Sequence, residues 1–174
     1  EHAAKYPPGI ALEAEYQVSA INRVLDELET VLDKFPENFL YKSVKDRIRI
    51  CIVRSIDGSE VAAEQYWFDG DGFVVLSAGA DVEEEFIKGI GYIVDSHVLG
   101  NSPQYDYWNK TNPKGFVYGD DATYKEKYLT GETRAFADAE SMESATADRS
   151  RVFWNAMLKD NGKMFESKTM QKKL

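Results

Sequence analysis

The sequence predicts an α+β fold, and three stretches carry that prediction. Apolar residues recur at helical spacing from Val18 to Phe35. Between Arg47 and Leu76 the period changes to that of strands, with a hairpin signal inside the run. A second, well-capped helical stretch follows at 81–99. The expected order is therefore a long N-terminal helix, strands with a hairpin, a central helix, and further helix toward the C-terminus.

Pro7-Pro8-Gly9 reads as an extended lead-in. Val18, Ile21, Val24, Leu25, Leu28, Val31, Leu32 and Phe35 then form the i, i+3, i+4, i+7 stripe of an amphipathic helix, predicted over 12–34. Pro36-Glu37-Asn38 closes it. Strands are predicted at 47–55, 65–68 and 73–77. The first is Arg47-Ile48-Arg49-Ile50-Cys51-Ile52-Val53, which alternates and is rich in β-branched residues. Asp57-Gly58 marks a turn. The other two strands flank Asp69-Gly70-Asp71-Gly72, a tight hairpin loop. An EF-hand would need further ligands and a distal Glu that this run lacks.

The central helix starts at Asp81, a good N-cap, with Glu84 placed as its capping-box partner. Glu83, Glu84 and Glu85 put negative charge at the positive end of the helix dipole. Val82, Phe86, Ile90, Ile93, Val94 and Val98 make its apolar face. Gly89 and Gly91 each cost about 1 kcal/mol relative to Ala inside a helix, so the pair suggests backbone held close to something. Gly100-Asn101-Ser102-Pro103 ends the helix. Residues 101–135 have no clear period but hold Tyr105, Tyr107, Trp108, Phe116, Tyr118, Tyr124 and Tyr128. Two readings stand for them, a packed functional loop or a lid over the core. Val152, Phe153, Ala156 and Met157 return to helical spacing and predict a helix over 148–158.

With 174 residues and 43% apolar content, the chain is long enough for one domain with a real core. Its net charge of −9 opposes binding to a phosphate backbone, so nucleic acid is not an expected partner. No apolar run approaches the roughly 18 residues of a membrane span. Without a signal peptide, the expectation is a cytosolic protein or a chain that begins after processing. Cys51 is the only cysteine, which excludes an internal disulfide and any multi-cysteine metal site; it reads as a core residue of its strand. His2 and His97 are the only histidines, and one internal histidine cannot build a two-histidine zinc site.

The central helix has the outline of a zinc-peptidase helix whose chemistry is gone. In an HExxH motif two histidines at i and i+4 bind Zn²⁺ from one helix face, and the intervening Glu is the general base. Laid on a HEIGHIVD-type pattern, Ile90, Gly91, Ile93, Val94 and Asp95 keep the frame. The first histidine becomes Lys88, the base becomes Gly89, and the second histidine becomes Tyr92.

Further segments extend the likeness. Asp95-Ser96-His97-Val98-Leu99 follows the altered motif, and Trp108-Asn109-Lys110-Thr111-Asn112-Pro113-Lys114-Gly115-Phe116-Val117-Tyr118-Gly119 forms a W…NP.GF.YG loop. Phe136-Ala137-Asp138-Ala139-Glu140-Ser141-Met142 precedes Ala147-Asp148-Arg149-Ser150-Arg151-Val152-Phe153. Met164-Phe165 and Met170-Gln171-Lys172-Lys173-Leu174 come last. In this order, over 60–174, the chain resembles the zinc-binding metallopeptidases of bacterial surface and lipoprotein type. The resemblance implies a single zincin-like domain over 1–174, truncated at its closing helix, with a small mixed sheet beside the former metal-site helix. It also implies an extracytoplasmic or cell-surface location.

The family's ligand and base positions correspond to Lys88, Gly89, Tyr92, Ala147 and Asp148. Only Asp148 and Tyr92 among them offer an oxygen donor, and a cationic Lys88 opposes zinc. The expectation is a catalytically inactive, cofactor-free relative that binds peptide or protein, with Asp95, His97, Trp108, Phe116, Tyr118 and Arg149 as cleft candidates. Asp95 and Arg149 also read as a helix-fixing ion pair. The alternative is a metallohydrolase that uses a different ligand set: Asp95, His97 and Asp148. Its difficulty is that His97 lies half a helical turn off the Lys88 face. A last expectation is that the Lys88 ammonium replaces the missing metal's charge, with Asp148 as its partner.

Overall fold

The computed structural model describes residues 10–43, 48–68, 70–98, 107–157 and 162–174. The expected lead-in before Ile10, the turn residue Asp69, the helix stop at 100–103 and the end of the last predicted helix at Leu158 lie outside them. The protein is α+β, with five α-helices and a small mixed four-stranded sheet among the described residues. The chain divides into two compact units, Glu1–Ile93 and Val94–Leu174.

The first unit holds the sheet. Strands β1 (Leu12–Ala14), β2 (Ile48–Ile56), β3 (Ala63–Phe68) and β4 (Asp71–Ser77) lie in the order β1-β2-β4-β3. The pair β3–β4 is the predicted antiparallel hairpin, in register from Ala63 opposite Leu76 to Phe68 opposite Asp71. Strand β2 runs parallel to β4, which makes the sheet mixed. Being central, β4 is covered on both sides, and Phe73, Val74, Val75 and Leu76 are all buried. Such a strand reads as a continuous apolar run rather than an alternating one.

One correction concerns the N-terminus. Residues 12–14 were expected to be helical, yet they form β1, antiparallel to β2 with Leu12 opposite Ile56. The Ala11 amide also donates to Asp57 Oδ1 at 2.9 Å. Pairing with a strand far along the chain overrides local propensity there. Helix α1 therefore begins only at Val18 and ends at Leu32. The Glu15 carboxylate accepts from the Tyr16 and Gln17 amides just before it. A short helix α2 (Phe39–Ser43) was not foreseen.

Helix α3 (Val82–Val98) matches the predicted central helix. The Asp81 side chain accepts from the Glu84 amide at 3.0 Å, the N-cap bond expected. Phe86, Ile87, Ile90 and Ile93 are fully buried, each stabilising by about 1.5–3 kcal/mol. Phe86 meets Phe35 edge to face. The glycine reading holds at Gly89, where a Cβ would stand 3.2 Å from both methyl groups of Val74. The opposite face of the sheet gathers Val53, Ile56 and Val75, with Leu12 and Cys51 against them.

Among its described residues the second unit contains the end of α3, several 3₁₀ turns and two further helices, α4 (Ala145–Met157) and α5 (Lys168–Gln171). Helix α4 starts three residues before the predicted 148, because Ser144 Oγ caps it by accepting from the Ala147 amide. Tyr128, Ala135, Phe136 and Met142 form the core of this unit, with Phe116, Tyr118 and Leu129 packed on it.

Candidate functional site

The motif residues of the second unit converge on Asp148. This residue lies in the first turn of α4, where the helix dipole favours a carboxylate, and it is fully buried. Its Oδ2 accepts from Trp108 Nε1 at 2.8 Å and from Tyr118 Oη at 2.7 Å. It also accepts from Lys173 Nζ at 2.5 Å.

Local structure explains how the two aromatic donors arrive. Trp108 sits in a 3₁₀ turn over Tyr107–Thr111 that Thr111 braces by donating to the Trp108 carbonyl. In Pro113-Lys114-Gly115-Phe116 the Phe116 amide donates to the Pro113 carbonyl, and Gly115 takes φ +81°. A left-handed residue at the third position of a turn is where glycine costs least. That turn delivers Phe116 and then Tyr118 to the aromatic cluster. The Phe116 and Tyr118 rings stand edge to face, and Phe116 lies 4.5 Å from Phe136 between centroids. Phe116 and Tyr118, expected as cleft residues, are thus partly buried packing residues.

Lys173 comes from the segment after α5. Ser167 caps that helix by accepting from the Met170 amide, and its hydroxyl donates to the Arg134 carbonyl at 2.5 Å. Met170 is fully buried. The Lys173 ammonium also donates to the Ala135 carbonyl at 2.7 Å and stands 4.2 Å from the Phe136 ring centroid. Both partners of the ion pair have side chains at 0% exposure. Burial pushes the Asp148 carboxyl above its ordinary value, against the Lys173 charge and the donated hydrogen bonds. Burial likewise pulls the Lys173 ammonium down, against the pull of Asp148.

Asp95 and Arg149 form the expected ion pair. It is bidentate, with Nε to Oδ1 at 2.5 Å and Nη2 to Oδ2 at 2.9 Å. The Arg149 guanidinium also lies 6.0 Å from the Trp108 ring centroid. Arg151 adds a second clamp within the unit, pairing with Asp138 and Glu140.

Lys88, Gly89 and Tyr92 lie in the first unit. Lys88 pairs with Glu84 at 3.0 Å and Glu85 at 2.8 Å, both on its own helix. The ammonium that meets Asp148 within the second unit is that of Lys173. Lys173 stands in the closing segment of the resemblance, and no local signal in the sequence singles it out as a partner of Asp148. Gly89, at the base position, packs against Val74, and Tyr92 is half-buried. Ala147 offers no donor. The side chain of His97 lies outside the described residues.

These residues do not fit a zinc ion. Lys88 carries an ammonium, and Asp148 already meets three donors. Of the alternative set Asp95, His97 and Asp148, both carboxylates are engaged by cations. Among the described residues no group of three or more His, Cys, Asp or Glu side chains could hold a metal. No helix among them is long and apolar enough to cross a membrane. Comparison with protein-family models, with curated proteins and with solved structures finds no match for this chain. The resemblance to zinc metallopeptidases accordingly rests on the motif residues themselves.

Proposed function

We propose that this chain is a catalytically inactive, metallopeptidase-like domain on a zincin-like frame, acting outside the cytoplasm as a binding or scaffold protein for peptide or protein. One observation carries the reading. Asp148, the carboxylate that the resemblance expects beside a metal, is neutralised by a buried ammonium and held by two motif side chains, Trp108 and Tyr118. A zinc ion would have to displace Lys173 from its carboxylate, and the charge it would supply is already present. The convergence of Trp108, Tyr118 and Asp148, far apart in sequence, supports the motif correspondence from which the reading starts. Gly89 supports the loss of the general base, because a Glu there would press into Val74.

The test is metal content together with peptidase activity. Purified protein, dialysed against zinc and analysed by mass spectrometry, is expected to retain far less than one equivalent. It is expected to leave unstructured peptides uncleaved. One tightly held equivalent of zinc overturns the proposal.

A further inference from the structure

The surroundings of Lys173 have the chemistry of a receptor for an alkylammonium ion. Two acceptors, Asp148 Oδ2 at 2.5 Å and the Ala135 carbonyl at 2.7 Å, hold the Nζ hydrogens. Phe136 and Trp108 present rings to the same nitrogen, at 4.2 Å and 5.6 Å to their centroids. Aromatic faces stabilise a cation through their quadrupole, and more so when it is removed from water. The second carboxylate oxygen, Asp148 Oδ1, is buried and has no hydrogen-bond partner among the described residues. The cage thus offers a full negative charge, a carbonyl, two rings and a spare acceptor.

We propose that this cage is a binding site for a primary ammonium on an unbranched aliphatic stem, filled in cis by Lys173. The chain supplies its own ligand, and the segment Ser167–Lys173 is latched to the second unit by it. Primary amines are favoured over quaternary ones because the two acceptors require N–H donors. A guanidinium is disfavoured because its planar fork of five donors exceeds what the cage accepts. The tethered lysine has a high effective concentration, so free amines do not displace it from the intact chain. The inference stands on the geometry of the second unit and not on the metallopeptidase reading. Zinc held away from Asp148 would leave it standing, and its failure would leave the zinc-free reading standing.

The test is chemical rescue. Lys173→Ala removes three methylenes and the ammonium, which together correspond to n-propylammonium. Thermal unfolding of the variant is followed across a series of n-propylammonium chloride at constant ionic strength. The controls are 1-propanol and tetramethylammonium chloride. The expected result is a saturable rise in Tm of several degrees with propylammonium alone, as a ligand bound only by the folded state must give, and a flat response from the unmodified protein. Equal rescue by 1-propanol or by tetramethylammonium overturns the proposal, since it would reflect filled space or bulk cation. Absence of any saturable rise overturns it too. Should Lys173→Ala fail to fold, it is refolded in the same three series. Recovery of a cooperative transition only with propylammonium supports the site, and recovery in none or in all of them overturns it.

Discussion

Each unit of this protein holds a lysine largely out of water, and the two are held in opposite ways. In the first unit Lys88, with its side chain 11% exposed, pairs with Glu84 and Glu85, which are one turn back on the same helix and remain partly in solvent. In the second unit Lys173 pairs with Asp148 across 25 residues of sequence, and neither side chain is exposed at all. The first arrangement is an i, i+3 and i, i+4 contact that any helix makes at small gain. The second removes two charges from water, which is tolerable only because each meets the other and further polar groups. Burial of an ammonium therefore says little by itself. What matters is whether its counter-charge is buried with it.

The largest expected effect follows directly. Lys173→Met keeps most of the stem volume but leaves the Asp148 carboxylate buried and unpaired, so it should cost about 3–5 kcal/mol. Adding Asp148→Asn to that variant should recover most of the loss, because the amide oxygen still accepts from Trp108 and Tyr118 while the uncompensated charge is gone. Urea denaturation of the two variants measures both values. A Lys173→Met change as mild as a change at Lys88 would break the comparison.

The same contrast explains what was legible in the sequence. The α1 and α3 stripes, the β3–β4 hairpin and the Asp81 cap are written in neighbouring residues, and they are present. The spacing of Glu84, Glu85 and Lys88 likewise makes their pairs readable on paper. Motif order did flag Trp108, Tyr118 and Asp148, which the fold brings to one carboxylate. Lys173 was not legible. Its partner lies on another helix, its rings come from two other segments, and a lysine near Met170 and Leu174 looks like any solvated helix residue. Strand β1 was missed for the same reason, since its partner β2 lies more than 30 residues further on. The early helix start at Ala145, by contrast, is readable at Ser144, a good N-cap residue.

A smaller effect is expected at Lys88. Lys88→Ala should cost about 1 kcal/mol or less, the range of partly exposed ion pairs on a helix. Raised salt should narrow the difference from the unmodified protein, because Glu84 and Glu85 remain within reach of counter-ions. The same salt should leave the cost of Lys173→Met almost unchanged. Parallel denaturation curves at low and high ionic strength separate the two sites. A salt-independent loss of several kcal/mol at Lys88 would place it in the class of Lys173.

The smallest effect sharpens the contrast in charge balance. In the second unit one carboxylate meets one ammonium, whereas the first unit has carboxylates in surplus around Lys88. Glu64, on β3, shows the consequence: burial first, then the charges of Asp57 and Glu85, raise its carboxyl above the ordinary 4.5. A group with a raised folded value contributes stability that is fully present below its unfolded value and is lost as pH rises through the folded one. At neutral pH an ionised Glu64 therefore weighs against the fold, and Glu64→Gln should raise Tm slightly. The gain stays small because the residue is exposed enough for solvent to screen it. It should fade as pH falls, because the native carboxyl then takes up a proton and becomes neutral like the amide. Thermal melts of both proteins from neutral to acid pH give the sign directly. A Glu64→Gln advantage that grows on acidification would mean that burial and the charges of Asp57 and Glu85 do not set the balance at Glu64.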